Sequence, residues 1–238
     1  MLAVKGVSAG YGKLHILSDV SIEVSEKEIT VVVGPNGSGK STLLKTIAGL
    51  TTIYNGEILL GEERLSGLPA HEIVKRGLAY LPQTEGVFTQ LTVAENFKMA
   101  GYTVTREEFD SRLRSGLDMF PQLQRYLKSK VQNLSGGERQ MVAMTMALIR
   151  KPTVIMLDEP TANLSPKLAS EVLKKVVDLA KGLGMAVLLV EQNAKKALEI
   201  GDKAYLLVGG KNVFKGTTKE LLGHEELSRM YLGLKSDT

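Results

Sequence analysis

Apolar residues along this chain fall into two patterns. Ile29 to Val33, Val154 to Leu157 and Ala186 to Val190 are unbroken apolar or β-branched runs of strand length. Such runs belong to strands buried on both faces, as in a parallel sheet. Ala3 to Val7, Val20 to Val24, Ile58 to Leu60 and Leu78 to Leu81 predict further short strands. Ala204 to Val208 predicts another, leading through the Gly209-Gly210 turn to a last strand at Lys211 to Gly216. Between these, Leu43 to Leu50, Lys167 to Lys181 and Ala194 to Ile200 read as helices. From Val93 to Arg150 the strand signals fade, and Glu138 to Ile149, free of Gly and Pro, is a clear helix candidate. Strands alternating with helices predict an α/β fold with a largely parallel sheet. The helical middle predicts an inserted lobe.

Composition narrows the classes. The chain has 238 residues, which suits one large domain or a domain with an inserted lobe. Lys plus Arg number 30 and Asp plus Glu 26, a net charge of +4. That surplus suits a phosphate ligand or an anionic membrane surface, and equally a chance excess of surface lysines. No Lys/Arg block of the kind that binds nucleic acid occurs. There is no cysteine, which excludes disulfides, cysteine metal sites and a thiol nucleophile, and fits a reducing cytoplasm. No apolar run approaches the ~20 residues of a membrane-spanning helix, and the N-terminus lacks the apolar core of a signal peptide. The chain is expected not to cross a membrane. If it works at one, another subunit must span it.

The first chemical motif follows the strand at Ile29 to Val33. Gly34-Pro35-Asn36-Gly37-Ser38-Gly39-Lys40-Ser41-Thr42 contains G-x-x-x-x-G-K-[ST], with a predicted strand before it and a helix after it. Glycines let the backbone curl so that successive N–H groups point at phosphate oxygens. The helix N-terminus adds a favourable dipole. Lys40 supplies a charge for the β- and γ-phosphates, and Ser41 a hydroxyl for Mg²⁺. The pattern predicts a nucleoside triphosphate site.

The second motif ends another buried strand. Asp158 and Glu159 follow Val154 to Leu157. Acids at the carboxyl end of a parallel strand face the crevice where ligands bind. Asp158 is placed to hold Mg²⁺ through its water shell, and Glu159 to orient or deprotonate an attacking water. Alone, an Asp-Glu pair there would also suit a solvated turn.

Between the two motifs lies Leu134-Ser135-Gly136-Gly137-Glu138-Arg139-Gln140. By itself this is a helix start with a Ser cap. Together with the loop and the Asp-Glu strand it resembles the ABC ATPase family over nearly the whole chain. The resemblance implies ATP and Mg²⁺ as ligands and a P-loop NTPase fold with a mostly parallel sheet, an N-terminal antiparallel β region and an inserted helical subdomain. One domain over 1–238 is implied: 1–83 and 151–238 as a RecA-like core with the antiparallel region, and 84–150 as the helical part carrying the signature segment. Ser135, Gly136 and Gly137 would reach the γ-phosphate held by a second ATPase subunit, sandwiching ATP between the pair.

Further positions carry over from the same resemblance. Tyr11 lies where the family stacks an aromatic on adenine, although a turn tyrosine between Gly10 and Gly12 is also an adequate reading. Gln83 matches the glutamine that touches Mg²⁺ and links the core to the helical part. Thr161 to Ser165 matches the loop that contacts the opposite subunit, with Ser165 where an Asp is usual. Gln192 stands where most members carry His. Its amide can donate a hydrogen bond to a γ-phosphate but cannot carry charge, which leaves Glu159 as the main base.

Glu191-Gln192-Asn193 and the ending Arg229-Met230-Tyr231-Leu232-Gly233 look like the ATPase subunits of branched-chain amino acid importers. That likeness implies integral membrane permeases, a second ATPase subunit and, indirectly, a solute-binding protein as partners. It implies a place on the cytoplasmic face of the cell membrane and no nucleic acid partner. Phe88, in a Gly-flanked loop, is expected to meet the membrane subunit, whereas Leu91 and Phe97 are expected to serve the core. A non-transport ABC-type ATPase and an importer of another solute such as amides are the alternatives. No sustained heptads separate the motifs, as chromosome and repair ATPases of this type would require.

Overall fold

Two sheets organise the molecule. The computed structural model describes residues 1–84 and 86–233. β1 (Leu2–Tyr11), β2 (Leu14–Val24), β4 (Thr52–Leu60) and β5 (Glu63–Arg64) form an antiparallel sheet in the order β2-β1-β4-β5. The second sheet contains β3 (Ile29–Val33), β6 (Leu78–Leu81), β7 (Val154–Asp158), β8 (Ala186–Val190), β9 (Lys203–Val208) and β10 (Lys211–Thr217). Its order is β10-β9-β3-β8-β7-β6, parallel throughout except for β10. β3 has β8 on one side and β9 on the other. The chain leaves β3 for the edge strand β6 and returns through β7 and β8, past β3, to β9, and the crevice beyond the carboxyl ends of these strands is where such sheets bind ligands.

The unbroken apolar runs are explained by two cores, one on each face of this sheet. Val31, Val33, Ile155, Leu157, Val187, Leu189, Ala204 and Leu206 face one core. Val32, Val154, Met156, Leu188, Val190, Tyr205 and Leu207 face the other, against the antiparallel sheet and helix α1 (Lys40–Ile47). Alternate residues thus enter opposite cores, as the two-residue period of a strand requires.

The first core also receives the middle of the chain. α2 (Ala70–Lys75) precedes β6, and α3 (Val93–Ala100), α4 (Arg106–Met119) and α5 (Gly136–Ile149) lie between β6 and β7. Phe97, Phe120, Leu123, Val131 and Leu134 from this stretch are buried in the same cluster as Ile29 and Val31. α6 (Pro166–Val177), α7 (Ala194–Ile200), α8 (Thr218–Gly223) and α9 (Glu225–Leu232) complete the chain as described. α6 runs on into one π-helical turn at Asp178–Gly182. No helix among the described residues is long and apolar enough to cross a membrane.

Several element bounds differ from the sequence expectation. The antiparallel strands are longer, because Ser21 and Glu23 are exposed while Val20, Ile22 and Val24 are buried, the alternation of a half-solvated sheet rather than a continuous run. α1 begins at Lys40 rather than Leu43 and ends at Ile47, with Gly49 beyond it at φ 73°. α5 begins two residues before Glu138, because Ser135 caps it: the Glu138 amide donates to Ser135 Oγ, and the Ser135 amide to Glu138 Oε2 at 2.8 Å.

Candidate functional site

The loop at Gly34 to Thr42 joins the carboxyl end of β3 to α1. Gly34 has φ 153°, and a Cβ there would lie 2.0 Å from the Leu207 carbonyl oxygen, so only glycine lets the loop leave β3 so close to β9. Gly39, at φ 102°, turns the chain into α1, and a Cβ there would meet Leu17 Cδ2 at 2.8 Å. The Gly210 amide donates to the Ser38 carbonyl at 3.0 Å and ties the loop to the turn after β9. Pro35, Asn36 and Gly37 are exposed, and Ser41 and Thr42 half-buried. Ser38 Oγ is buried without a hydrogen-bond partner in the protein.

Lys40 is buried at the loop's centre. Its Nζ donates to the carbonyls of Gly34 at 2.9 Å and Pro35 at 3.0 Å. Burial pulls its pKa down, and the carboxylates of Glu159 and Asp158 oppose that shift. The ammonium is therefore held inside the loop at the place where phosphate oxygens could exchange with the two carbonyls.

Asp158 reaches the loop because of strand parity. Val154 and Met156 face α1, so Asp158, two residues on, faces it as well. Ser41 Oγ donates to Asp158 Oδ1 at 3.0 Å, and the Tyr80 hydroxyl from β6 donates to Oδ2 at 3.1 Å. Burial raises the Asp158 pKa, while these two hydrogen bonds and the lysines Lys45 and Lys40 counteract it. Burial, reinforced by the Asp158 charge, raises that of Tyr80 and keeps it a proton donor. Glu159 sits at φ 47°, an uncommon conformation for a side-chain-bearing residue that turns the chain out of β7. Its amide donates to the Val190 carbonyl at 2.9 Å, and its Oε2 accepts from Gln83 Nε2 at 3.1 Å. Lys40, Ser41, Gln83, Asp158 and Glu159 thus converge at the carboxyl ends of β3, β6 and β7.

The other expected residues surround this cluster less directly. Gln192 is exposed just past β8, and its backbone carbonyl accepts from Ala194. Tyr11 is exposed beside the β1–β2 turn. That turn is propped by Tyr54, whose hydroxyl donates to the carbonyl of Gly12 at 2.9 Å and whose ring stacks on His15 at 3.9 Å. Ser135 and Gly136 are exposed at the start of α5, whose first amides have no acceptor within the helix. Sequence reasoning missed Tyr80 and Tyr54. The one local signal for Tyr80 was a tyrosine two residues before Pro82 in an otherwise apolar strand.

Residues 17–162 match the family model described as ABC transporter. The chain belongs to the ABC transporter family. It is an ATP-binding subunit of that family and an ATPase. This ABC ATPase is 52% identical over 234 residues to a probable branched-chain amino acid transport ATP-binding protein LivF of Archaeoglobus fulgidus, covering 98% of this chain and 99% of that one. It is 38% identical to the high-affinity branched-chain amino acid transport ATP-binding protein BraG of Pseudomonas aeruginosa, over 98% and 100% of the two chains. Against the lipopolysaccharide export system ATP-binding protein LptB of Haemophilus influenzae the identity is 34%, over 98% and 97%. Among solved structures, an ATP-binding cassette of an ABC transporter in its ADP conformation superposes with a TM-score of 0.86 at 25% identity, covering 96% and 97% of the chains. A dimeric cassette in a post-hydrolysis state with ADP and Pi gives 0.79 at 26%, covering 92% and 99%.

Proposed function

We propose that this ABC ATPase drives uptake of branched-chain amino acids through separate membrane permeases, at the cytoplasmic face of the membrane. The observation that carries the substrate class is the 52% identity to a LivF-type protein along almost the entire chain. Export of a lipid-like substrate is the second reading, favoured by the 34% identity to LptB over a similar length. Reconstitution with the cognate permeases and solute-binding protein tests both. Leucine, isoleucine and valine uptake that depends on ATP supports the proposal. Uptake confined to amides, or stimulation of the ATPase by lipopolysaccharide alone, overturns it.

The site residues take the following roles in this reading. Amides of Gly37 to Thr42 cradle the phosphates, and Lys40 exchanges the Gly34 and Pro35 carbonyls for β- and γ-phosphate oxygens. Tyr11 stacks on adenine. The Ser41 hydroxyl and the Asp158 carboxylate, already paired at 3.0 Å, are a hard oxygen pair that fits Mg²⁺, with Gln83 nearby. Among the described residues no cluster of three or more acidic or histidine side chains gathers to hold a metal by itself. Mg²⁺ shared with substrate phosphates needs only one or two protein oxygens. When bound there, it would neutralise charge developing on the β- and γ-phosphate oxygens. Gln83 releases Glu159, which then orients the attacking water. Gln192 offers its amide to the γ-phosphate.

The second half of the ATP site comes from a partner ATPase subunit. Ser135 keeps its hydroxyl proton free while its oxygen caps α5, and the amides of Gly136 and Gly137 add donors at the same helix start. The dimeric cassette with ADP and Pi supports such a pairing. Residues 84–150 act as the helical part that passes nucleotide state to the permease. Phe88 is exposed beside a groove of about 540 Å³ lined by Leu81, Pro82, Met99 and Tyr102. Buried Asn96 grips both the amide and the carbonyl of Phe88, at 2.8 and 3.0 Å, which holds the backbone from which the ring is offered to a permease segment.

A further inference from the structure

Glu191 is buried, 3% exposed, one residue past β8. A carboxylate at that depth is costly unless it is hydrogen-bonded or paired. Among the described residues it makes no salt bridge. Its Oε1 instead accepts from the Thr161 amide at 3.0 Å. Burial raises its pKa, and hydrogen bonds from Thr161 counteract the shift.

The segment it holds is unusual. Between Glu159, at φ 47°, and Asn163, at φ 60°, the chain makes two left-handed excursions with side-chain-bearing residues. Internal turns run from the Ala162 amide to the Glu159 carbonyl at 3.0 Å, and from the Leu164 amide to the Thr161 carbonyl at 3.2 Å. One end is fastened to consecutive positions of the β8 terminus: Glu159 to the Val190 carbonyl and Thr161 to the Glu191 carboxylate. The other end packs beneath the signature helix. Leu164 Cδ2 lies 3.1 Å from where a Cβ on Gly136 would be, and Leu168 Cδ2 3.4 Å from one on Gly137.

We propose that Glu191 is a positioning residue for ATP hydrolysis: its buried carboxyl group holds Thr161, and so fixes Glu159 at one end of this segment relative to Gly136 at the other. The inference rests on the reading of Glu159 as the group that acts on the attacking water. What is needed from residue 191 is an oxygen acceptor, not a negative charge. A glutamine carbonyl serves equally, whereas alanine leaves the Thr161 amide unpaired and lets the segment relax. Phosphate binding, organised by β3 and α1, does not depend on it.

The test uses the full chain, with kcat, KM and equilibrium binding of a fluorescent ATP analogue measured for Glu191→Ala and Glu191→Gln. Glu191→Ala is expected to lower kcat about tenfold or more with KM and nucleotide affinity within about twofold, and Glu191→Gln to keep about half of kcat or better. In parallel, amide hydrogen exchange is followed at Thr161. It is expected to be protected in the wild type and in Glu191→Gln, and to exchange at least about tenfold faster in Glu191→Ala. Three results overturn the proposal: wild-type turnover in Glu191→Ala, a Glu191→Gln as impaired as Glu191→Ala, or a Thr161 amide unprotected in the wild type. If the alanine variant does not fold, the last two measurements still decide, with full loss in Glu191→Gln counting against the proposal. Full turnover in Glu159→Gln would remove the underlying reading of Glu159 and is separately visible.

Discussion

Tyr80 donates its hydroxyl to Asp158 Oδ2 across adjacent strands at 3.1 Å, leaving Oδ1 to Ser41. Both carboxylate oxygens are therefore oriented before any ligand arrives. Partners of this kind orient a metal-binding carboxylate, and their loss typically weakens metal affinity by about 10–100-fold. Tyr80→Phe is accordingly expected to raise the Mg²⁺ concentration needed for half-maximal ATPase activity by about tenfold, with kcat at saturating Mg²⁺ little changed. A magnesium titration of wild type and variant checks this. Identical titration curves would remove Tyr80 from the site.

Gln83 occupies Glu159 in this structure, its amide 3.1 Å from Oε2. With Glu159 as the base, Glu159→Gln should bind ATP as the wild type does and lose turnover by about 100-fold or more. The ATP-bound pair should then persist, visible as a stable dimer on size exclusion with ATP and Mg²⁺. Wild-type turnover in this variant would move the base elsewhere.

Two glycines of the phosphate loop should respond very differently to a methyl group. At Gly34 a Cβ meets the Leu207 carbonyl oxygen at 2.0 Å, so Gly34→Ala must displace backbone. A cost of about 2–4 kcal/mol is expected, with loss of nucleotide binding. At Gly37 no atom lies within 4 Å of the added carbon, and the positive φ of 76° alone opposes it. There the cost is about 1–2 kcal/mol. Thermal melts and ATP affinity of both variants give the comparison, and equal effects would contradict it.

Helix caps supply a pH dependence. The carboxyls of Glu95, Glu108 and Glu220 are held below their ordinary pKa, first by the backbone amide of the capping threonine and then by its hydroxyl. A folded-state pKa below the unfolded one means stability that is present above the ordinary carboxylate pKa and is lost as pH falls through the depressed value. The melting temperature should therefore drop as pH falls below the ordinary carboxylate pKa and through the depressed values. A variant with all three residues changed to Gln keeps the acceptors but not the titration, and should show a shallower drop. An unchanged slope would assign the acid lability to other carboxylates.

Some features were legible in the sequence because their physics is local. The capped start of α5 is written into Ser135 and Glu138, three residues apart, and the structure closes that box. The unbroken runs at Ile29, Val154 and Ala186 require burial on both faces wherever they lie, and they pair as parallel neighbours. The Gly34–Thr42 loop can curl between its strand and helix because its glycines adopt positive-φ conformations that other residues rarely reach. The antiparallel strands extend beyond their apolar runs, because exposed polar positions alternate with buried ones along a half-solvated sheet.

What only the tertiary structure decided is which distant groups meet. Strand order β3-β8-β7-β6 is not chain order. Ser41 and Asp158, 117 positions apart, and Tyr80 and Asp158, 78 apart, therefore become hydrogen-bonded partners through registers that no local pattern encodes. Glu191 looked like part of a family run, and its bond to Thr161 exists because β7 and β8 are neighbours. The helical middle reads as an inserted lobe, and the tertiary structure places its Phe97 and Phe120 in one core with the central sheet. The sequence alone determined the elements and the phosphate loop, because backbone sterics, capping and period act over a few residues. The geometry around Asp158 and Glu159 was decided by burial and strand pairing, which act between segments far apart in the chain.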